Sequence, residues 1–152
     1  MNEKYEEALK TAEKYYEKSE ESLYEELGLR IQDITNVGGY ERAQKFEAEF
    51  EEAADDMLSF GDLKKFGQRW MENIKNKLME MICSKDNSEL KKITDGKTIP
   101  QVVAGLVTAG LVSTLAPPAW IIIAVTILVI KLMDAGIEAA CETWKESQKD
   151  NF

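Results

Sequence analysis

Histidine is absent from all 152 residues. With it go imidazole acid–base catalysis, Ser-His and Cys-His nucleophile pairs, and the commonest zinc and iron ligand sets. Cysteine occurs twice, at Cys83 and Cys141. The two are far apart in the chain and each lies among apolar neighbours, which predicts a pair of reduced core thiols. Positive charge is in short supply, 19 Lys and Arg against 28 Asp and Glu for a net charge of −9. Sequence-independent nucleic-acid binding is thereby excluded, since it needs a basic surface to displace counterions. No catalytic constellation, nucleotide loop or metal-ligand spacing is found. The chain therefore reads as non-enzymatic, with no cofactor, no metal and no small-molecule substrate expected. The N-terminal MNEKYEEALK has no apolar core of the secretory kind, which predicts a cytoplasmic protein, or a membrane-associated one if the C-terminal half inserts.

Proline is also scarce, and its three copies, Pro100, Pro117 and Pro118, fall inside one apolar block. From Thr98 to Ile130 thirty-three residues pass without Asp, Glu, Lys, Arg, Asn or His. Thr98 suits an N-cap and Pro100 a first turn, so one helix is expected from Ile99 to about Leu115. The Pro117-Pro118 pair ends it. A second helix then begins at Pro118 or Ala119 and runs through Ile130 into an amphipathic tail. In that tail Asp134, Glu138, Glu142 and Glu146 lie on one side, and Ile137, Ala140, Cys141 and Trp144 on the other. The first leg carries Gly105, Ala109 and Ser113 at spacings of four, with Gly110 beside them, a bare face that lets another helix approach closely. The second leg, opened by Trp120, has no polar face, the mark of a helix surrounded on all sides.

Upstream, Tyr5, Leu9, Ala12, Tyr16, Ser19, Leu23, Leu27, Ile31 and Ile34 describe one long amphipathic helix from Asn2 to about Asn36, with Gly28 as a possible bend. Its first four heptads approach a coiled-coil seam. Leu9, Tyr16 and Leu23 are accordingly the candidate partner-facing residues, for another protein or a second copy. Gly38 and Gly39 mark a turn. A second helix, about Tyr40 to Phe60, buries Ala43, Phe46, Phe50 and Met57 and exposes Glu47, Glu51 and Asp55. That acidic face is read as solvated, because one helix cannot wrap a cation. Gly61 stops this helix and Asp62 caps the next, which runs to about Cys83 with Leu63, Phe66, Trp70, Ile74, Leu78, Met81 and Ile82 on one side. Lys64, Lys65, Arg69, Lys75 and Lys77 make its other side basic. Core packing is the expected use, and lying on an anionic membrane the alternative. Ser84 to Lys97 is a polar connector and candidate hinge with a short helical turn from Ser88 to Ile93. Charge is uneven, net −10 over Met1–Asp56 (seventeen acids, seven bases) and +3 over Asp62–Lys97 (six acids, nine bases). Pairing of the two regions within the fold is the simplest account.

These elements predict an all-α fold, a bundle of about five or six helices with amphipathic outer helices packed around a central apolar hairpin at about residues 99–133. One domain is expected over 1–152, divided into amphipathic helices (1–83), connector (84–97) and hairpin with C-terminal extension (98–147). Each leg is marginal against the roughly 20 apolar residues of a bilayer span. The layout resembles the general plan of colicin-type pore-forming domains and Bcl-2-like proteins, in layout only, with no shared motif. The leading expectation is an interaction or regulatory module acting through a protein partner or self-association. The alternative is a membrane-inserting effector using Trp70, Gly105, Ala109, Gly110 and Trp120.

Overall fold

Helix starts follow the residues able to accept from free backbone amides. The computed structural model describes residues 3–37, 46–56, 62–111, 118–133 and 136–149, and among these it is an all-α bundle of eight helices without a strand. They are α1 (Glu3–Tyr16), α2 (Glu20–Val37), α3 (Glu47–Asp56), α4 (Leu63–Cys83), α5 (Asn87–Thr94), α6 (Ile99–Leu106), α7 (Ala119–Leu132) and α8 (Ile137–Lys149). Asp62 accepts from the Lys64 amide at 2.8 Å to open α4. Thr98 and Gln101 form a reciprocal capping box at α6, with Pro100 in the first turn. Both starts are those the sequence predicts. In the connector the short helix starts before Ser88, with Asp86 as its cap accepting from the Glu89 amide at 2.7 Å.

The long N-terminal helix expected from Asn2 to Asn36 is two helices. The chain leaves α1 after Tyr16 and restarts at Glu20, where the Ser22 amide donates to Ser19 Oγ at 3.2 Å. Ser19, read as part of an apolar stripe, is a helix-start residue instead. The break resets the helical register. α1 buries Ala8, Ala12 and Tyr15, while α2 buries Leu23, Tyr24, Leu27, Ile31 and Ile34. Small side chains on the inner face of α1 suit its close packing on α6.

Gly28 does not bend α2; it lets α2 and α4 cross. A Cβ at Gly28 would fall well inside the 3.0 Å limit from the Leu63 carbonyl oxygen, and one at Gly67 equally close to the Tyr24 carbonyl oxygen. The two glycines thus face each other across the crossing, and only residues without a Cβ permit that separation. Lys64–Glu21 at 3.0 Å and Lys77–Glu49 at 3.3 Å tie basic α4 to acidic α2 and α3. This is the charge pairing expected from the sequence, although an exposed pair such as Lys64–Glu21 contributes only about 0–1 kcal/mol.

The C-terminal half departs from expectation in two ways. α7 does not run on into the tail. It ends at Leu132, Gly136 takes a positive φ of 86°, and α8 departs at 92° to α7. A left-handed residue ends a helix at little cost only when it is glycine. The new direction brings Ile137 and Cys141 of α8 into the core beside α4 and α5. Secondly, Cys83 and Cys141 are not free thiols. Their Cα atoms lie 5.3 Å apart and the two sulfurs form a disulfide. A sequence separation of 58 hides a proximity that only the α4–α8 packing creates. The expected turns at Gly38-Gly39 and Gly61, the core positions Ala43 and Met57, and Ser113 lie outside the described residues.

Candidate functional site

The apolar block remains the centre of interest. Every residue of α7 from Trp120 to Val129 is buried. Its one polar side chain in that run, Thr126, donates from its hydroxyl to the Ile122 carbonyl at 2.7 Å, so it asks nothing of its neighbours. α1, α2, α4, α6 and α8 all pack on this helix. Burial of each Ile, Leu or Val here stabilises by about 1.5–3 kcal/mol relative to exposure, so the enclosure of α7 contributes strongly to holding the bundle together.

At the N-terminal end of α7, Trp120 enters an aromatic cluster. Its ring centroid lies 5.2 Å from Phe46, 5.3 Å from Phe50 and 5.5 Å from Trp70, all edge-to-face. Such contacts add about 0.5–1.5 kcal/mol per pair beyond area. Trp70 and Trp120, the two tryptophans singled out for a membrane surface, are thus core residues in this state. The cluster is imperfectly satisfied. Among the described residues the buried indole N–H of Trp70 finds no acceptor, nor does that of Trp144 in α8. Each leaves a donor desolvated at a cost of about 1–3 kcal/mol.

At the other end, Ile130 is partly exposed and Lys131 turns back to α2. Its Nζ donates to the Tyr24 hydroxyl at 2.8 Å and lies 3.4 Å from Glu20 Oε1. Depressions of about 180 Å³ (Lys18, Glu20, Leu23, Ile127, Ile130, Lys131) and about 70 Å³ flank this lysine. Both are smaller than the roughly 300–1,000 Å³ of small-molecule sites. Among the described residues no group of three Cys, Asp or Glu is placed to hold a metal ion.

α6 shows how the expected small-residue face is used. Gly105 does not admit α7. A Cβ there would meet Ile93 Cγ2 of α5 at 2.9 Å, and Ala109 is exposed. Past Leu106 the backbone widens into a π-helical turn, Val107–Leu111, which contains Ala109 and Gly110. Lys85 of the connector donates to the Ala109 carbonyl at 2.8 Å and approaches Glu89 at 3.6 Å. The Thr108 hydroxyl donates to the Ala104 carbonyl at 2.8 Å. The connector is therefore docked on α6 rather than standing free.

Of the three residues offered as a partner seam, Leu9 and Tyr16 lie on α1 and Leu23 on α2. Leu9 is half-buried at the core's edge, Leu23 is buried, and Tyr16 alone is exposed, at 44%. What sequence reasoning missed here is the Cys83–Cys141 bridge and the Lys131–Tyr24 contact, both joining residues without any local signal. No single helix among the described residues is long and apolar enough to cross a membrane, whereas α7 and α8 pass that test together across their bend. Comparison of the chain with protein-family models, with curated proteins and with solved structures returns no match.

Proposed function

We propose that this protein is a membrane-inserting effector whose α6–α7 hairpin is shielded by amphipathic helices until a trigger releases it. The observation that carries this reading is α7, a helix with no polar face over the ten residues from Trp120 to Val129. Lipid satisfies such a surface as well as protein does, because the backbone polar groups are paired within the helix itself. Lengths support it. Extended as one helix, Ala119 to Ile137 is nineteen residues with only Lys131 and Asp134 charged, or roughly 28 Å at 1.5 Å per residue. The uncharged stretch Ile99–Ala116 is eighteen residues, or roughly 27 Å. Both approach the roughly 30 Å of a hydrocarbon core. The orphaned indoles of Trp70 and Trp144 add a further reason, since a membrane interface offers an indole both an apolar bed and a polar partner.

A continuous seam through Leu9, Tyr16 and Leu23, one ground for expecting an interaction module, is interrupted where α1 ends and α2 begins. The acidic cover suggests the trigger. Met1–Asp56 carries a net charge of −10, which repels an anionic surface, and acidification weakens that repulsion. The test is release of an entrapped dye from phosphatidylglycerol-containing vesicles by the full chain at neutral and mildly acidic pH. Leakage that rises as pH falls is expected. Neither binding nor leakage at any pH where the chain stays dissolved overturns the reading.

Tyr16 favours a second reading, an interaction or regulatory module that binds a protein partner or a second copy through the end of α1. Sedimentation equilibrium reports its self-associating form. A monomer at every concentration, unchanged by Tyr16→Asp, overturns that form.

A further inference from the structure

The disulfide joins the last residue of α4 to the first half of α8, and what lies between the two cysteines is the connector and the whole apolar block. α1, α2 and α3 lie outside this covalent loop. The cover can therefore separate from the hairpin without breaking a bond, whereas the two ends of the loop cannot part. Both cysteines are buried, at 1% and 3% exposure, which shields the bridge from attack while the bundle is closed. We infer, building on the membrane reading above, that the Cys83–Cys141 bridge fixes the topology of insertion. The hairpin enters the bilayer as a loop closed at its base, crossing twice, and α8 stays on the side from which it came.

The placement of residues agrees with this geometry. Cys141 is four residues beyond Ile137, the end of the nineteen-residue stretch, so the bridge would sit just outside the hydrocarbon. There it would lie beside the polar connector on Cys83's side, which carries Lys85, Lys91, Lys92 and Lys97. Lys131, freed from Tyr24 and Glu20, lies about 9 Å inside Ile137 at 1.5 Å per residue, and its stem can reach the interface. A single crossing by the α7–α8 pair would instead carry Glu138, Glu142 and Glu146 through the bilayer, at a heavy desolvation cost. The bridge forbids that path unless Cys83 follows. Disulfides form chiefly in oxidising compartments, so the bridge favours insertion from such a compartment.

Trypsin added outside vesicles loaded with the bridged full-length chain tests this. With both ends of the loop on the outer face, cleavage follows Lys97 and Lys145, and mass spectrometry finds a protected fragment that starts at Thr98 and ends no later than Lys145. A protected fragment of the bridged chain that begins upstream of Cys83 and runs to Phe152 shows both cysteines carried across, and overturns the inference while leaving membrane insertion standing. No protected fragment at all overturns the membrane reading and this inference with it. The paired variant Cys83→Ser with Cys141→Ser, checked for helicity by circular dichroism, is expected to yield the fragment ending at Phe152 as an added population. A pattern identical to that of the bridged chain overturns the role of the bridge. Should the variant not fold, the choice between the Lys145 and Phe152 ends in the wild type decides the topology alone.

Discussion

The α2–α4 crossing makes the sharpest stability prediction, because its two glycines face backbone rather than side chains. Gly28→Ala places a methyl well within 3.0 Å of the Leu63 carbonyl oxygen, and Gly67→Ala does the same to that of Tyr24. A carbonyl fixed in a helix cannot rotate aside, so the two helices must separate along their length. Overpacking of this kind costs about 1–3 kcal/mol and here belongs at the upper end. Alanine's better helix propensity offsets about 1 kcal/mol of it. A net loss of about 2 kcal/mol follows for either variant, which in a chain of this size lowers Tm by about 4–8 °C. Once one methyl has parted the helices, the second finds room, so the double variant should lose less than the sum of the two. Gly105→Ala is the control. Its methyl would meet the branch methyl Cγ2 of Ile93 at 2.9 Å, a side chain of the short helix α5 rather than fixed backbone. The propensity gain then leaves that variant near neutral. Thermal unfolding followed by circular dichroism decides the matter. Wild-type stability in Gly28→Ala and Gly67→Ala, or a loss in Gly105→Ala as large as theirs, would refute the close-crossing argument.

Two further outcomes concern single side chains. Thr98→Ala removes the hydroxyl that accepts from the Gln101 amide at 3.3 Å and leaves the capping box half made. A loss of about 1 kcal/mol is expected in urea unfolding with an unchanged m-value, and no loss would place the start of α6 under the control of tertiary packing alone. Tyr15 titrates above its ordinary value of 10.0, chiefly because burial disfavours the phenolate and also because Glu26 lies near, against the opposing pull of Arg30. The raised value means the fold favours the neutral phenol. That contribution is fully present below pH 10.0 and fades as pH rises through the higher folded-state value. Tyrosinate absorbance should show one late-titrating ring that vanishes in Tyr15→Phe, and a ring titrating with the others would contradict its burial.

Local chemistry made much of this fold legible beforehand. The Thr98 cap with Pro100, the Asp62 cap of α4, the start of α7 after Pro118 and the all-round apolar character of α7 were each readable because one residue type at one position has a single good backbone role. The inner face of α4 was readable as well, since Phe66, Trp70, Ile74 and Leu78 keep helical period throughout. The acid–base pairing of the N-terminal region with α4 followed from charge alone. Prediction failed where two equally periodic readings differed by a break. Ser19 satisfies an apolar stripe loosely and an N-cap well, and the pattern around it is blind to the difference. Gly136 escaped notice because the residues beyond it resume a helical period.

What the tertiary structure alone decided are the contacts between distant segments. Gly28 and Gly67 are each ordinary helix-weakening residues until a second helix arrives at the same height. Cys83 and Cys141 are two apolar thiols until α8 turns 92° from α7 and lies beside α4. The sequence determined that the Thr98–Ile130 block must be largely kept from water, because it runs thirty-three residues without a charge and is mostly apolar. Which helices cover it, and that its two ends are tied together, were decided by packing, where shape and distance select among many partners of equal hydrophobicity.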